Sequence, residues 1–311
     1  MDLKSKIFVA GSETTIGKKI TYFLDKEKYK NILTDLNIGK NLENYELIDN
    51  FFKNNKPDYV FLVAGKSGGI KANKNFPATI MINNLKIISN IMSLSNKYNV
   101  KKLLFLASSC VYPKNASNPL SPEILLESQL EETNKSYAIA KLSGMELCNA
   151  YRQEFKDNFI SVIPSTVFGP GDNFSNDNSH VIPAMIKKIH DAKISKKNKL
   201  LLWGTGRPIR DFIYIDDLAD GLIFLMNNYD EKNPINISSE KPISIKDLSI
   251  LIKKIIGYNG EITFDPSHPD GMPIKSLNYE VIKKHGWQPK FEFANALKKT
   301  YEWYLSSKYC N

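Results

Sequence analysis

The stretch KIFVAGSETTIGKK, residues 6–19, decides the fold. Its uncharged run IFVA, closed by Gly11, has the pattern of a strand buried on both faces. Helical spacing begins a few residues after that glycine. A strand, a glycine turn and a helix in this order make a phosphate-binding turn. Gly11 permits the tight reversal, Gly17 permits close packing of helix on strand, and the helix start offers N–H groups to an anion. The middle glycine of such a turn is Thr14 here, so the motif is incomplete by itself.

The same rhythm repeats downstream. NILTDL (31–36), YVFLVAG (59–65), KLLFLASS (102–109) and ISVIPST (160–166) read as further strands, with amphipathic helical segments at 43–54, 77–97 and 134–155. This alternation implies right-handed βαβ units and an α/β fold with a doubly wound parallel sheet. After Pro164 the pattern changes. FGPGDNFSNDNSHVIP is a polar loop entering a helix; LLLWGTG, RDFIYIDDL and a helix through 228 follow, then PINIS, EITFDP and helices at 244–256 and 293–306. The chain therefore reads as a dinucleotide-binding domain of 1–166 plus about 211–232, with a smaller discontinuous α/β substrate domain of about 167–210 plus 233–311.

With 311 residues, 42% hydrophobic and 24% charged, the composition is that of a soluble globular protein, and a cytoplasmic location is expected. No apolar run approaches the roughly 20 residues that cross a bilayer, and the first residues open a strand rather than a leader. Cys110, Cys148 and Cys310 are too few and too scattered for a disulfide framework or a metal site. The net charge of +9 comes mostly from dispersed lysines without interleaved aromatics, which argues against nucleic acid and for a basic pocket holding a phosphorylated small molecule.

Three further features carry chemistry. Asp35 stands 24 residues past Gly11, the usual place for a carboxylate on the adenine ribose, and there it would repel a 2′-phosphate and favour NAD(H). SYAIAK puts Tyr137 and Lys141 one helical turn apart, where an ammonium can stabilise a phenolate and hold the nicotinamide ribose. Ser108 or Ser109, at the end of the fourth strand, would orient a carbonyl for reduction. Arg210 is one of only three arginines, and its planar fork suits a diphosphate or a guanine.

Together these residues resemble the extended short-chain dehydrogenase/reductase family, with a Rossmann-type sheet, and within it the GDP-L-fucose synthase branch. The pieces that carry the resemblance are FVAG, GKSGGIKANKNFPA, LLFLASSCVYPK, YAIAKLSGMELC, FGPGDNFSNDNSHVIPAMIKK, WGTGRPIRDFIYIDDLA and PDGMPIK. The resemblance implies that Ser108, Tyr137 and Lys141 form a reductase triad, with Cys110 and His180 as epimerase base and acid. It further implies that Gly11, Thr14, Thr15, Ile16, Gly17, Asp35, Ala64, Gly65, Lys141, Pro164 and Val167 hold the cofactor. Lys188, Trp203, Arg210 and Lys275 would line a GDP-sugar site, and no metal is implied. The cofactor is NADP(H) by resemblance, or NAD(H) if Asp35 binds the ribose. Ser12, Glu13, Thr14, Thr34 and Asp35 stand where the family carries basic and glycine residues, which leaves that choice open, and Lys188 stands where the family commonly has Arg.

The implied activity is epimerisation and reduction of a GDP-4-keto-6-deoxy-mannose-type sugar to GDP-L-fucose or a close analogue. Its alternatives are a C4-ketoreductase without inversion, acting on a GDP-linked deoxysugar or heptose, and a non-catalytic nucleotide sensor. A homodimer paired through helices 77–97 and 134–155 is expected by the same resemblance.

Overall fold

The computed structural model describes residues 1–175, 179–268 and 270–310, so positions 176–178 of the polar loop lie outside the described residues. The apolar runs become β1 (Lys6–Ala10), β2 (Asn31–Thr34), β3 (Tyr59–Leu62), β4 (Lys102–Leu106) and β5 (Phe159–Pro164). Between them lie α1 (Thr15–Lys26), α2 (Tyr45–Asn55), α3 (Ile70–Asn75), α4 (Pro77–Lys97) and α5 (Lys135–Phe155). Local chemistry sets the starts of these helices. Asn44 caps α2 by accepting from the Leu47 N–H, and α4 begins at Pro77, where a missing N–H costs nothing.

The remaining chain forms β6 (Thr166–Phe168), α6 (Val181–Ile194), β7 (Lys199–Trp203), β8 (Ile209–Arg210), β9 (Phe212–Tyr214), α7 (Ile215–Asn228) and β10 (Ile235–Ile237). It ends with β11 (Ile243–Ser244), α8 (Ile245–Ile256), β12 (Glu261–Asp265), β13 (Ile274–Lys275), α9 (Glu280–Lys284) and α10 (Phe293–Leu305). None of the described helices is long and apolar enough to cross a membrane.

The main sheet has six parallel strands in the order β10-β5-β4-β3-β1-β2. From β1 the chain goes first to β2 on one side and then crosses to β3 on the other. The crevice of a doubly wound sheet opens at such a reversal, outside the carboxyl ends of the strands. Alternate residues feed two cores. Phe8, Val60, Leu103, Phe105 and Phe159 pack under α2, α4 and α5, while Ile7, Val9, Phe61, Leu104 and Val162 pack under α1 and α7. A third cluster joins Phe168, Ile186, Phe212, Leu248 and Ile252, from β6, α6, β9 and α8, and forms the core of the smaller part.

One boundary differs from the sequence reading. Residues 235–237, expected in the substrate domain, pair with β5 and complete the main sheet. Three residues, all buried, are too short a run to betray a sheet strand by periodicity.

The two parts are stitched by buried polar groups. Tyr112 donates to Asn236 Oδ1 at 2.6 Å, and Asn236 Nδ2 donates to the carbonyls of Leu120 and Asn278 at 2.8 and 2.9 Å. Asp211, only 3% exposed, accepts from the Ser238 hydroxyl and from the Leu277 N–H. Burial raises its pKa from 3.8 to about 6. The folded protein therefore keeps a proton that the unfolded chain releases, and stability falls as pH rises through this window. Chemical denaturation at pH 4 and pH 7 should show Asp211→Asn gaining about 2–3 kcal/mol on the parent over that interval. Parallel pH profiles for the two proteins would refute the assignment.

Candidate active site

The crevice begins at the turn after β1. Gly11 has φ +101°, and a Cβ there would lie 2.5 Å from the Ala64 nitrogen, so only glycine fits between β1 and the end of β3. A Cβ at Gly17 would lie 1.9 Å from the Gly11 carbonyl oxygen. Thr14, in place of the middle glycine, caps α1: its hydroxyl donates to Gly11 O at 2.7 Å and accepts from Gly17 N at 3.0 Å. Thr15 donates its hydroxyl to Gly171 O at 3.1 Å, tying the turn to the polar loop. Among the described residues, the N–H groups of Thr15 and Ile16 have no acceptor. Two free N–H groups at a helix N-terminus suit a dinucleotide's pyrophosphate.

Asp35 does not open toward a ribose. Its carboxylate is buried, and both oxygens accept from the Gly11 N–H, at 2.9 and 3.0 Å. Its own N–H donates to Ser12 Oγ at 3.0 Å. Burial raises its pKa, with the backbone donors of the turn pulling the other way. The reason is local: a 3₁₀ turn at 35–38 begins at Asp35 and directs the side chain under the glycine turn. At the rim, Lys40 reaches Glu13 at 2.9 Å and brings a cation to the turn.

Beyond β4 the backbone tightens into a 3₁₀ turn, 109–111, with Ser108 at its start accepting from Cys110 N at 3.3 Å. Ser109 is buried, which leaves Ser108 as the serine of the site. The Ser108 side chain lies near the Tyr137 hydroxyl and favours its ionised form, against burial. Burial raises the Tyr137 pKa, and the nearby Cys110 adds to that rise. Tyr137 is therefore a protonated phenol at neutral pH.

Lys141 is 4% exposed; its ammonium donates to Leu106 O at 2.8 Å and lies 4.9 Å from the Phe105 ring centre. Burial pulls its pKa down to about 8. The expected Lys141–Tyr137 coupling is thus not formed by the chain alone, because the Leu106 carbonyl holds the ammonium. A Cβ at Gly65 would lie 3.5 Å from Lys141 Nζ, so Lys141 sits beside the end of β3 as well as β4. Pro164 precedes Ser165, whose buried hydroxyl has no partner among the described residues, and Val167 lies two residues beyond it in β6. A free helix N-terminus, a buried ammonium without a carboxylate and an orphaned hydroxyl along one sheet edge fit a nicotinamide dinucleotide.

Two side chains here escape sequence reasoning. Asn84, buried in α4, donates to Lys66 O at 2.8 Å and accepts from Lys66 N at 3.2 Å, which shapes the loop after Gly65. Asn134 donates to Cys110 Sγ at 3.3 Å. A polar residue within an apolar helical stripe is the only sequence signal for Asn84, and Asn134 reads as an ordinary helix cap. His180 stands at the start of α6, half exposed, with Asp172 3.9 Å from its Nδ1 raising its pKa. No hydrogen bond joins it to Cys110 among the described residues.

A second cluster, in the smaller part, is basic. Arg210 and Lys275 are register partners on adjacent strands β8 and β13. Arg210 donates to the carbonyls of Ile209 and Asp270, and among the described residues neither cation forms a salt bridge. Two neighbouring cations without a bridging acid favour a diphosphate. Lys188 Nζ lies 4.5 Å from the ring centre of Trp203, which is 66% exposed and stacks on His268 at 4.6 Å and 5°. The described residues hold no cluster of metal-ligating side chains.

Comparison with known proteins agrees with this geometry. Residues 7–238 match the model of the NAD dependent epimerase/dehydratase family. The chain is 42% identical to GDP-L-fucose synthase of Sinorhizobium fredii, covering 97% of this chain and 96% of that protein. It is 39% identical to GDP-L-fucose synthase 1 of Arabidopsis thaliana, covering 100% and 96%. Among solved structures, the GDP-mannoheptose C4 reductase MlghC of Campylobacter jejuni, with NADP bound, superposes with a TM-score of 0.87 at 34% identity over 98% of this chain and 99% of that one. By its sequence, its sheet and its glycine turn, this chain belongs to the NAD dependent epimerase/dehydratase family.

Proposed function

We propose that the chain is an NADPH-dependent epimerase-reductase acting on GDP-4-keto-6-deoxy-mannose or a close analogue, with GDP-L-fucose or its counterpart as product. The observation that carries this reading is the gathering of Ser108, Cys110 and Tyr137 just past the carboxyl end of β4, with Asn134 Nδ2 on the Cys110 sulfur at 3.3 Å. Two hydroxyls can hold a C4 ketone, and a ketone so held acidifies the C–H bonds at C3 and C5. At each centre Cys110 as thiolate takes the proton, the electron pair moves to O4 as an enolate, and His180, kept protonated by Asp172, returns a proton on the opposite face; solvent then takes the proton from the thiol and reprotonates His180 before the next inversion. The nicotinamide, when bound, supplies the hydride to C4. Tyr137 then gives its phenolic proton to O4, and its raised pKa keeps that proton available.

The names of the relatives divide between synthases and a C4 reductase, which keeps reduction without inversion as the second reading. Incubation with GDP-4-keto-6-deoxy-mannose in deuterated water, without reductant, separates the two. The parent should take up deuterium at C3 and C5, and Cys110→Ser should lose at least 100-fold of that rate, the range of general-base catalysis being about 10²–10⁴. No uptake by the parent would leave the reductase reading alone.

NADPH is preferred in this proposal because Asp35 is engaged by Gly11 and Lys40 supplies a cation at the rim. Asp35→Ala should weaken NADPH and NADH alike in fluorescence titrations, whereas Lys40→Ala should weaken NADPH alone, by about 2- to 5-fold for so exposed a charge. A selective gain in NADPH binding by Asp35→Ala would return that residue to the ribose. A homodimer is part of the same proposal: α4 and α5 pack together and expose Ile82 and Phe155.

A further inference from the structure

We propose that Asn134 is a positioning residue that holds the Cys110 sulfur as a thiolate; this rests on the reading of Cys110 as the proton acceptor. Three observations converge on it. Asn134 Nδ2 donates to Cys110 Sγ at 3.3 Å. Its Oδ1 is buried without a hydrogen-bond partner among the described residues. And Asn134 occupies the N-cap position of α5 while making no side-chain cap bond.

The third point gives the other two their meaning. Asparagine is among the best N-cap residues because its side-chain oxygen can accept an orphan N–H of the first turn. Here that oxygen caps nothing, and the amide is turned so that its donor meets sulfur. An orientation serving the helix alone would point that oxygen at a first-turn N–H. A thiol sulfur is a weak acceptor, whereas a thiolate is a strong one, so a donor aimed at Sγ discriminates in favour of the charged form. The uncapped start of α5, which packs on the 109–111 turn, adds the positive end of a helix dipole to the same place.

The amide also suits the state after proton transfer. Once Cys110 has taken a proton from C3 or C5 and the electron pair rests on O4, the new S–H is a donor. A half-turn of the Asn134 amide presents Oδ1, otherwise without a partner, to that S–H. One side chain thereby serves both protonation states of the sulfur across the two inversions.

Two substitutions test this. Alkylation by iodoacetamide, followed by mass spectrometry on the Cys110 peptide across pH, reports the sulfur directly and is separated from Cys148 and Cys310. In Asn134→Ala the alkylation profile should move to higher pH and deuterium uptake at C3 and C5 should slow roughly 10- to 100-fold, the loss expected for one hydrogen bond to a charged group. Asn134→Asp retains a good N-cap and should keep or raise thermal stability. It should nevertheless slow the uptake at least as much, because a carboxylate repels a thiolate. Parental alkylation profiles in both variants, with exchange still lost in Cys110→Ser, would overturn the role of Asn134 alone. A Cys110→Ser enzyme that exchanges like the parent would overturn the reading of Cys110 and this proposal with it.

Discussion

The site depends on the tight turn after β4, which sets Ser108 and Cys110 beside Tyr137 of α5. That turn packs on α5, and in the proposed reaction the ketone oxygen would sit between them. Everything else is arranged around that point. Cys110 follows Ser108 on the same 3₁₀ turn, and Lys141 lies one helical turn beyond Tyr137, pinned to Leu106 at the last residue of β4. Because the phenol stays protonated, the chain presents an acid to the oxygen that hydride transfer would charge. In the proposed mechanism, reduction and inversion need no separate sites, since each begins with the same oxygen held between the same two hydroxyls.

The nucleotide end follows a different logic. Gly11 brings β1 so close to Ala64 that no side chain can intervene, and Asp35 locks that approach by accepting twice from the Gly11 N–H. Thr14 replaces a glycine with a cap, bridging Gly11 O and Gly17 N. The altered turn is therefore a repaired one: it loses conformational freedom, gains two hydrogen bonds and leaves the next two N–H groups of α1 free for an anion.

Much of this was legible in the sequence because it rests on periodicity. The apolar runs gave β1 to β5 within a few residues, and α4 was bounded at 77–97 by its proline start. Strand end and helical spacing also set Ser108 just past β4 and Tyr137 and Lys141 on α5, whereas the expected Lys141–Tyr137 pairing was not legible, because the Leu106 carbonyl holds the ammonium. What escaped depends on where short polar side chains point. Asp35 has the spacing of a ribose ligand, yet the turn at 35–38 directs it inward, and Asn134 has the identity of a cap yet serves a sulfur. Both outcomes are decided by partners distant in sequence, Gly11 and Cys110. Strand β10 escaped for a different reason: three residues carry too little pattern.

The substrate end adds the last constraint. Arg210 and Lys275 share a register across β8 and β13, so in the proposed reading a diphosphate would be held by two strands at once, while Lys188 and Trp203 form a separate cation–ring pair between α6 and β7. Through Tyr112, Leu120 and Leu277, Asn236 and Asp211 tie this part of the chain to the segment after β4. The most direct measurement is an NMR determination of product configuration after GDP-4-keto-6-deoxy-mannose and NADPH are supplied together. A single product with C3 and C5 both inverted and C4 reduced is expected; a C4-reduced sugar with C3 and C5 unchanged would contradict a shared site for inversion and reduction.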